Sequence, residues 1–309
     1  MTDLRESFAA RVRSGPDGSI PGPDDALGPD RREAADVAHA AFAAPWRLHE
    51  VLDGFANRRS TEHQVELVTD AVPDLPALPV PEALFQALWS IIDGAGGDRS
   101  ALEFTQATAA LGGHLDPGFQ AAQLAVSRDW PGVAEAAEQG WPEPFTLAQL
   151  AAAPSGSLAA TFHHLIVENG FDLEVLDRDA LSLRDLPAPL DYLNARILQV
   201  HDLWHLVGGY RTTGLHEIAI SAFQLAQFGH AYSGFVLAVT LASASADPTR
   251  YMVLSGVIAA AWRHGRMTPP LLGVDWPALW DRPLEDVRRA LGVEAFESPW
   301  PADLFERAA

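Results

Sequence analysis

The 309-residue chain contains no cysteine. Disulfides, zinc ribbons, iron–sulfur clusters and thiol nucleophiles are therefore excluded. Any metal must be held by His, Asp and Glu, a donor set that suits zinc, non-haem iron or manganese. Runs of β-branched residues at period two are nearly absent, which removes the main signal for a sheet. No internal repeat is visible. Basic side chains are scarce: 21 Lys and Arg stand against 41 Asp and Glu, a formal charge of −20. An acidic surface repels phosphate backbones, so nucleic acid is not an expected partner. Electrostatic attraction to anionic lipid heads is disfavoured too, although docking through an apolar patch is not. The N-terminus, MTDLRESFAARVRSGPDG, lacks the apolar stretch of a secretory signal. Residues 218–246 carry no Asp, Glu, Lys or Arg. They do carry Ser221, Gln224, Gln227, His230, Ser233, Ser243 and Ser245, which are costly in lipid. A helix buried in a helical protein is the better reading than a membrane span.

What is present fits a globular protein: 48% hydrophobic residues and 20% charged are enough apolar material for a core and enough charge for a surface. Residues 14–31, rich in Gly, Pro and Asp, read as an irregular lead-in, and residues 1–31 are expected to be flexible. One or two helices follow, with a break near Pro45. A Pro-rich hinge is expected at residues 72–83, then an amphipathic helix ended by glycines and two or three short helices up to residue 140. FTLAQLAAAPSGSLAATFHHLIVENGF reads as two helices around a turn at Pro154-Ser155-Gly156. PLDYLNARILQVHDLWHLVGG is a long helix stopped by Gly208 and Gly209. HEIAISAFQLAQFGHAYSGFVLAVTLASA reads as one second long helix. DPTRYMVLSGVIAAAWRHGR, with an Asp-Pro start, forms a third. LEDVRRALGV is a short amphipathic tail helix. The expected fold is all-α, with a helical region at 32–147 joined to a metal-binding helical region at 148–309 as one compact unit.

The candidate site lies on the first long helix. His201 and His205 are four residues apart and project from one face. Asp202 is three from His205 and about 100° around from His201. Glu217, twelve residues after His205, is brought back by a tight helix–loop–helix return. Two imidazoles with one or two carboxylates form a common set for Zn(II) or Fe(II). HDxxH alone is also compatible with two partly exposed histidines that hold no ion. An HD-type phosphohydrolase is disfavoured, because that pattern needs a further upstream His and a distant Asp in place of the Glu. His163 and His164 are adjacent on an amphipathic helix and read as structural. His230 and Tyr232, placed about four turns beyond Glu217 on the same helix, read as core or channel residues.

The run His201-Asp202-Leu203-Trp204-His205, eleven residues, then Glu217, resembles the HDxxH-x11-E signature of the coenzyme Q biosynthesis protein 4 family. Flanking features agree: Gly156-Ser157-Leu158 with Phe162, Leu165 and Asn169-Gly170; Tyr192 and Arg196 before the signature; Gly209, Phe223 and Gln227 after it. Trp262-Arg263-His264-Gly265-Arg266, Pro270-Leu271-Leu272, Asp275-Trp276 and the LEDVRRALGV tail continue the resemblance, which covers roughly residues 148–295. There are departures. His216 stands where the family usually has Gly, where it could alter the turn or add a ligand. Leu198 and Gln199 replace a usual Arg and Glu, and Ala159 and Phe162 replace a usual Gly and Tyr.

The resemblance implies a metal-dependent protein of ubiquinone biosynthesis acting at C1 of a prenylated benzoquinone precursor, as a decarboxylase or hydroxylase. The alternative is a non-catalytic scaffold that binds lipid or quinone precursor. It implies His201, His205 and Glu217 as ligands of a divalent metal, zinc or iron before manganese, with Asp202 as a fourth ligand or an outer carboxylate. Asp202 and Arg196 are the candidate catalytic residues, and Arg196 and Arg266 the candidate anion holders. An apolar inter-helix channel for a polyprenyl tail is expected along residues 218–246 and Tyr251–Trp262. The expected partners are a polyprenylated aromatic substrate or lipid, other quinone-biosynthesis proteins and a second copy in a homodimer. The expected location is cytoplasmic or peripheral to the inner membrane.

Overall fold

The computed structural model describes residues 2–16, 27–60, 64–66, 75–94, 101–174 and 176–307. Among them the chain is all-α: α1 (Thr2–Ser14), α2 (Gly28–Phe42), α3 (Leu48–Asn57), α4 (Glu82–Gly94), α5 (Ala101–Ala110), α6 (Phe119–Ser127), α7 (Val133–Ala137), α8 (Leu147–Ala151), α9 (Leu158–Asn169), α10 (Leu190–Gly208), α11 (Gly214–Phe228), α12 (Ala231–Ala244), α13 (Pro248–Met267) and α14 (Leu284–Leu291). A single isolated bridge, Ser157 to Pro283, is the only β-type pairing among the described residues.

The start of the chain departs from the expected lead-in. α1 is a helix that buries Phe8 and Val12 and pairs Arg11 with Asp36 of α2 at 2.7 Å. Helix α2 also begins within the expected lead-in, at Gly28. α1 and the first turn of α2 are thus helical within the span expected to be irregular. Residues 17–26 and the first part of the expected Pro-rich hinge, 72–74, lie outside the described residues. Its remainder, 75–81, has no regular structure and leads into α4.

The second departure concerns the expected long helix at 216–244. It is two helices, broken at Gly229. Gly229 adopts φ +69°, and a Cβ there would lie 2.2 Å from the Trp130 indole nitrogen. Only glycine meets both demands. After the break α12 turns back, packing on α11 and α2, while α13 packs on α11 and α3. The uncharged stretch is thus buried in a core shared by the N-terminal and C-terminal halves of the chain. Polar ties cross the same seam: Trp262 donates to the buried Asp53 at 2.7 Å, and Tyr251 donates to Glu33 at 2.7 Å.

Three features set the return from α10 to α11. Gly209, at φ +79°, ends α10, and a Cβ there would lie 3.0 Å from the Phe296 backbone nitrogen. The Arg288 guanidinium of α14 donates to the last-turn carbonyls of Leu206 (2.6 Å) and Val207 (3.0 Å), a cationic cap on the negative end of α10. At the start of α11, Thr213 donates to the Ala302 carbonyl at 2.8 Å, and Glu306 accepts from the Gly214 backbone at 2.8 Å.

Candidate metal centre

Helix α10 presents His201 and His205 from consecutive turns, and α11 brings Glu217 against them from its first turn. The two Nε2 atoms are 3.3 Å apart. Glu217 straddles them, with Oε2 3.4 Å from His201 Nε2 and Oε1 3.3 Å from His205 Nε2. One ligand atom from each residue lies within 4.8 Å of the others. A tetrahedral ion with bonds of about 2.0–2.1 Å has ligand–ligand edges of about 3.3–3.4 Å. The donor types and their spacing therefore fit a divalent ion.

The site has a buried side and an open side. The His205 side chain is 1% exposed, His201 31% and Glu217 46%. Burial opposes charge on His201, but hydrogen bonding and attraction to Glu217, then attraction to Asp202, raise its pKa. Burial likewise opposes charge on Glu217, and the two imidazoles outweigh it, holding the carboxyl well below the usual range. The anion also gains from its position in the first turn of α11.

The other sequence candidates fall in different places. Asp202 supplies no atom to the trio. Its carboxyl pKa is raised, first by burial and further by Glu217, against the pull of His201 and His205. Arg196 is tied to neighbouring segments of the fold. Its Nε donates to the Leu272 carbonyl at 2.9 Å, and its other nitrogens donate to the Val274 carbonyl and Gln199. Gln199 donates onward to the Glu143 carbonyl. Arg266 is paired with fully buried Asp53 at 3.1 Å. The two expected anion holders are thus engaged in packing, a role that helical spacing cannot reveal. His216 supplies no atom to the trio; its Nδ1 accepts the Arg211 backbone N–H at 2.9 Å and closes the turn before α11. His163 and His164 lie outside the trio, and His164 pairs with Glu168 at 2.9 Å.

His230 and Tyr232 need a correction. The break at Gly229 places them on the returning helix, so they are not four turns away along α11. Burial, then the charge of His201, lowers the His230 pKa to about 3. Burial raises the Tyr232 pKa, and Glu217 adds to this while a bond to Thr105 opposes it. Gln224 was missed as a site residue. Its side-chain amide lies 2.6 Å from His201 Nδ1. The signal was present in its spacing, seven residues after Glu217 on the same helical face.

Comparison with known proteins bears on the same region. The sequence model of the coenzyme Q (ubiquinone) biosynthesis protein Coq4 matches residues 142–297. The chain belongs to the Coq4 family. The matched span holds the whole trio and Gln224. A mitochondrial ubiquinone biosynthesis Coq4 homologue of Drosophila ananassae is 30% identical over 144 residues, covering 45% of this chain and 51% of that protein. The Bos taurus homologue is 30% identical over 110 residues, covering 34% and 39%. The chain thus spans about half the length, or less, of these Coq4 relatives. A crystal structure from Nostoc punctiforme, assigned by its description to ubiquinone biosynthesis, matches with a TM-score of 0.51 and 26% identity. The match covers 69% of this chain and 97% of that one, extending the shared fold beyond the family span. The likeness agrees with the all-α architecture, and the family is one named for ubiquinone biosynthesis.

Proposed function

We propose that the chain is a metal-dependent protein that acts at C1 of a prenylated benzoquinone precursor, in an oxidative decarboxylation. Membership of the Coq4 family supports the pathway. The observation that carries the metal dependence is the convergence of His201, His205 and Glu217 within 4.8 Å. Zinc or iron fits two imidazoles and a carboxylate best, with manganese third. When bound, the ion supplies a Lewis acid for the substrate's carboxylate and ring oxygen.

The protein's own groups divide the remaining work. His205 anchors the buried side, so an aromatic acid approaches from the side of His201 and Glu217. Asp202, beside the trio and outside it, is the carboxyl group placed to accept or return a proton. Replacing the C1 carboxylate by oxygen releases carbon dioxide and withdraws two electrons from the ring. An external oxidant of the dioxygen class is therefore a co-reactant. A homodimer docked on a membrane surface beside other quinone-biosynthesis proteins is the assembly this reading expects. No helix among the described residues is long and apolar enough to cross a membrane.

The test is to incubate the purified protein, loaded in turn with Fe, Mn and Zn, with a prenylated hydroxybenzoate in air and measure carbon dioxide. The reading expects release with at least one metal, and its loss in His201→Ala. Tight lipid binding without turnover under all three metals would favour a non-catalytic scaffold.

A further inference from the structure

Each histidine of the trio turns Nε2 toward the shared centre, so its orientation depends on what holds the rest of the ring. For His205 the protein interior does this, since the residue is 1% exposed and its Nδ1 has no hydrogen-bond partner among the described residues. His201 is different, with 31% of its side chain exposed on the open side. Its Nδ1 faces the side-chain NH2 nitrogen of Gln224 at 2.6 Å. Gln224 is itself 3% exposed, on the same helix as Glu217 and seven residues on. Between them Ser221 donates to the Glu217 carbonyl at 3.0 Å. One face of α11 therefore carries both the carboxylate and the group behind His201.

We propose that Gln224 is a positioning residue for the metal centre, fixing the orientation and tautomer of His201. This rests on the metal reading above. An imidazole that binds a cation through Nε2 carries its proton on Nδ1, and an acceptor there fixes the ring. A carboxamide can serve in either state, because it has an acceptor at one corner and donors at the other. With its NH2 toward Nδ1, it supports the tautomer protonated on Nε2, the atom that faces Glu217. With its oxygen toward Nδ1, it supports the tautomer that leaves Nε2 free for the ion. A half-turn of the amide separates the two. Gln227, three residues on, is engaged differently. Its amide donates to the Gly265 and Thr268 carbonyls and accepts from the Leu271 backbone.

The experiment measures Zn(II) and Co(II) affinity by chelator competition, and the Co(II) ligand-field spectrum, for the wild type, Gln224→Leu and Gln224→Glu. Folding of each metal-free protein is checked by near-UV circular dichroism. Gln224→Leu is expected to weaken both metals about 10- to 100-fold, the usual effect of removing such a partner, and to shift the Co(II) bands. Gln224→Glu, which can accept from Nδ1–H, is expected to restore wild-type affinity or better. The inference is overturned if Gln224→Leu binds within threefold of the wild type, or if Gln224→Glu loses as much as Gln224→Leu. Nitrogen NMR of the zinc-loaded wild type is an arm that needs no variant: His201 must carry its proton on Nδ1, and the opposite tautomer sinks the idea. A wild type that binds neither metal refutes the metal reading itself, whereas a wild type that binds while Gln224→Leu is unaffected refutes only the role of Gln224.

Discussion

His201 Nε2 and His205 Nε2 lie 3.3 Å apart, with the Glu217 carboxylate across both. The pairing is possible because α10 stops at Gly209 and α11 starts five residues later, at Gly214. A return that short leaves the first turn of α11 beside the last turns of α10. The site is therefore as sensitive to the elements that fix the return as to its own side chains.

Arg196 is expected to act on stability and not on the metal. Arg196→Met keeps much of the stem but leaves the Leu272 and Val274 carbonyls and Gln199 without their donor. The cost is about 2–3 kcal/mol, as for hydrogen bonds to a charged group left unmade. Urea unfolding should show this loss while the purified variant retains the wild-type metal content. A variant that is fully stable but has lost its metal would return Arg196 to the site.

Gly229→Ala should be more damaging than a usual helix-terminal substitution. It forces a side chain into φ +69° and into the Trp130 ring. The backbone alone contributes about 1–2 kcal/mol, and overpacking typically adds about 1–3 kcal/mol. A clear fall in the thermal midpoint is expected. Trp130→Ala in the same background should not restore the backbone part. A Gly229→Ala protein as stable as the wild type would mean that α11 and α12 can run on as one helix.

Asp53 is completely buried between Trp262 and Arg266. Asp53→Ala strands the Arg266 charge and removes the acceptor of the indole, and breaking such a pair from one side costs about 3–5 kcal/mol. Denaturant unfolding of Asp53→Ala and of Asp53→Ala/Arg266→Leu measures this. The double variant should recover part of the loss. Equal stability of the single variant and the wild type would contradict the pairing.

Two histidines, half-buried His49 and buried His230, make stability depend on pH. The pKa of His49 is lowered to about 3, by burial and then by Arg266, with Trp130 packed on its ring at 3.6 Å. That of His230 is lowered to about 3, by burial and then by His201. Both folded-state values lie below the unfolded value near 6.5, so the unfolded chain binds more protons. Their stabilisation is complete above about pH 6.5 and is lost as pH falls toward 3. Each contributes a slope of up to about 1.4 kcal/mol per pH unit in that window. Urea unfolding between pH 7 and 5 should show His49→Leu with a shallower decline than the wild type. Identical slopes would place the His49 pKa near its ordinary value.

Much of this architecture was legible from hydrophobic spacing and from caps. The stop of α10 at Gly209, the start of α13 at Asp247-Pro248 and the break at Pro45 are local signals, and all three appear in the structure. The trio was legible for the same reason: two histidines one turn apart and a glutamate just across a short return. The Gly229 break was not, because glycine is tolerated inside a helical pattern and the decisive neighbour, Trp130, is distant in sequence. The roles of Arg196 and Arg266 were hidden similarly, since the carbonyls and the carboxylate they engage come from other elements. Helix α1 was missed because the Gly- and Pro-rich segment after it dominated the reading of the whole N-terminus.

The central claim is that His201, His205 and Glu217 hold one divalent ion. Elemental analysis of the wild type, His201→Ala and Glu217→Gln, each expressed and purified alike without chelator, tests it most directly. The account predicts close to one zinc, iron or manganese per wild-type chain and a small fraction of that in both variants. A full metal complement in His201→Ala would contradict it, as would a folded wild type that stays metal-free after incubation with each of the three ions.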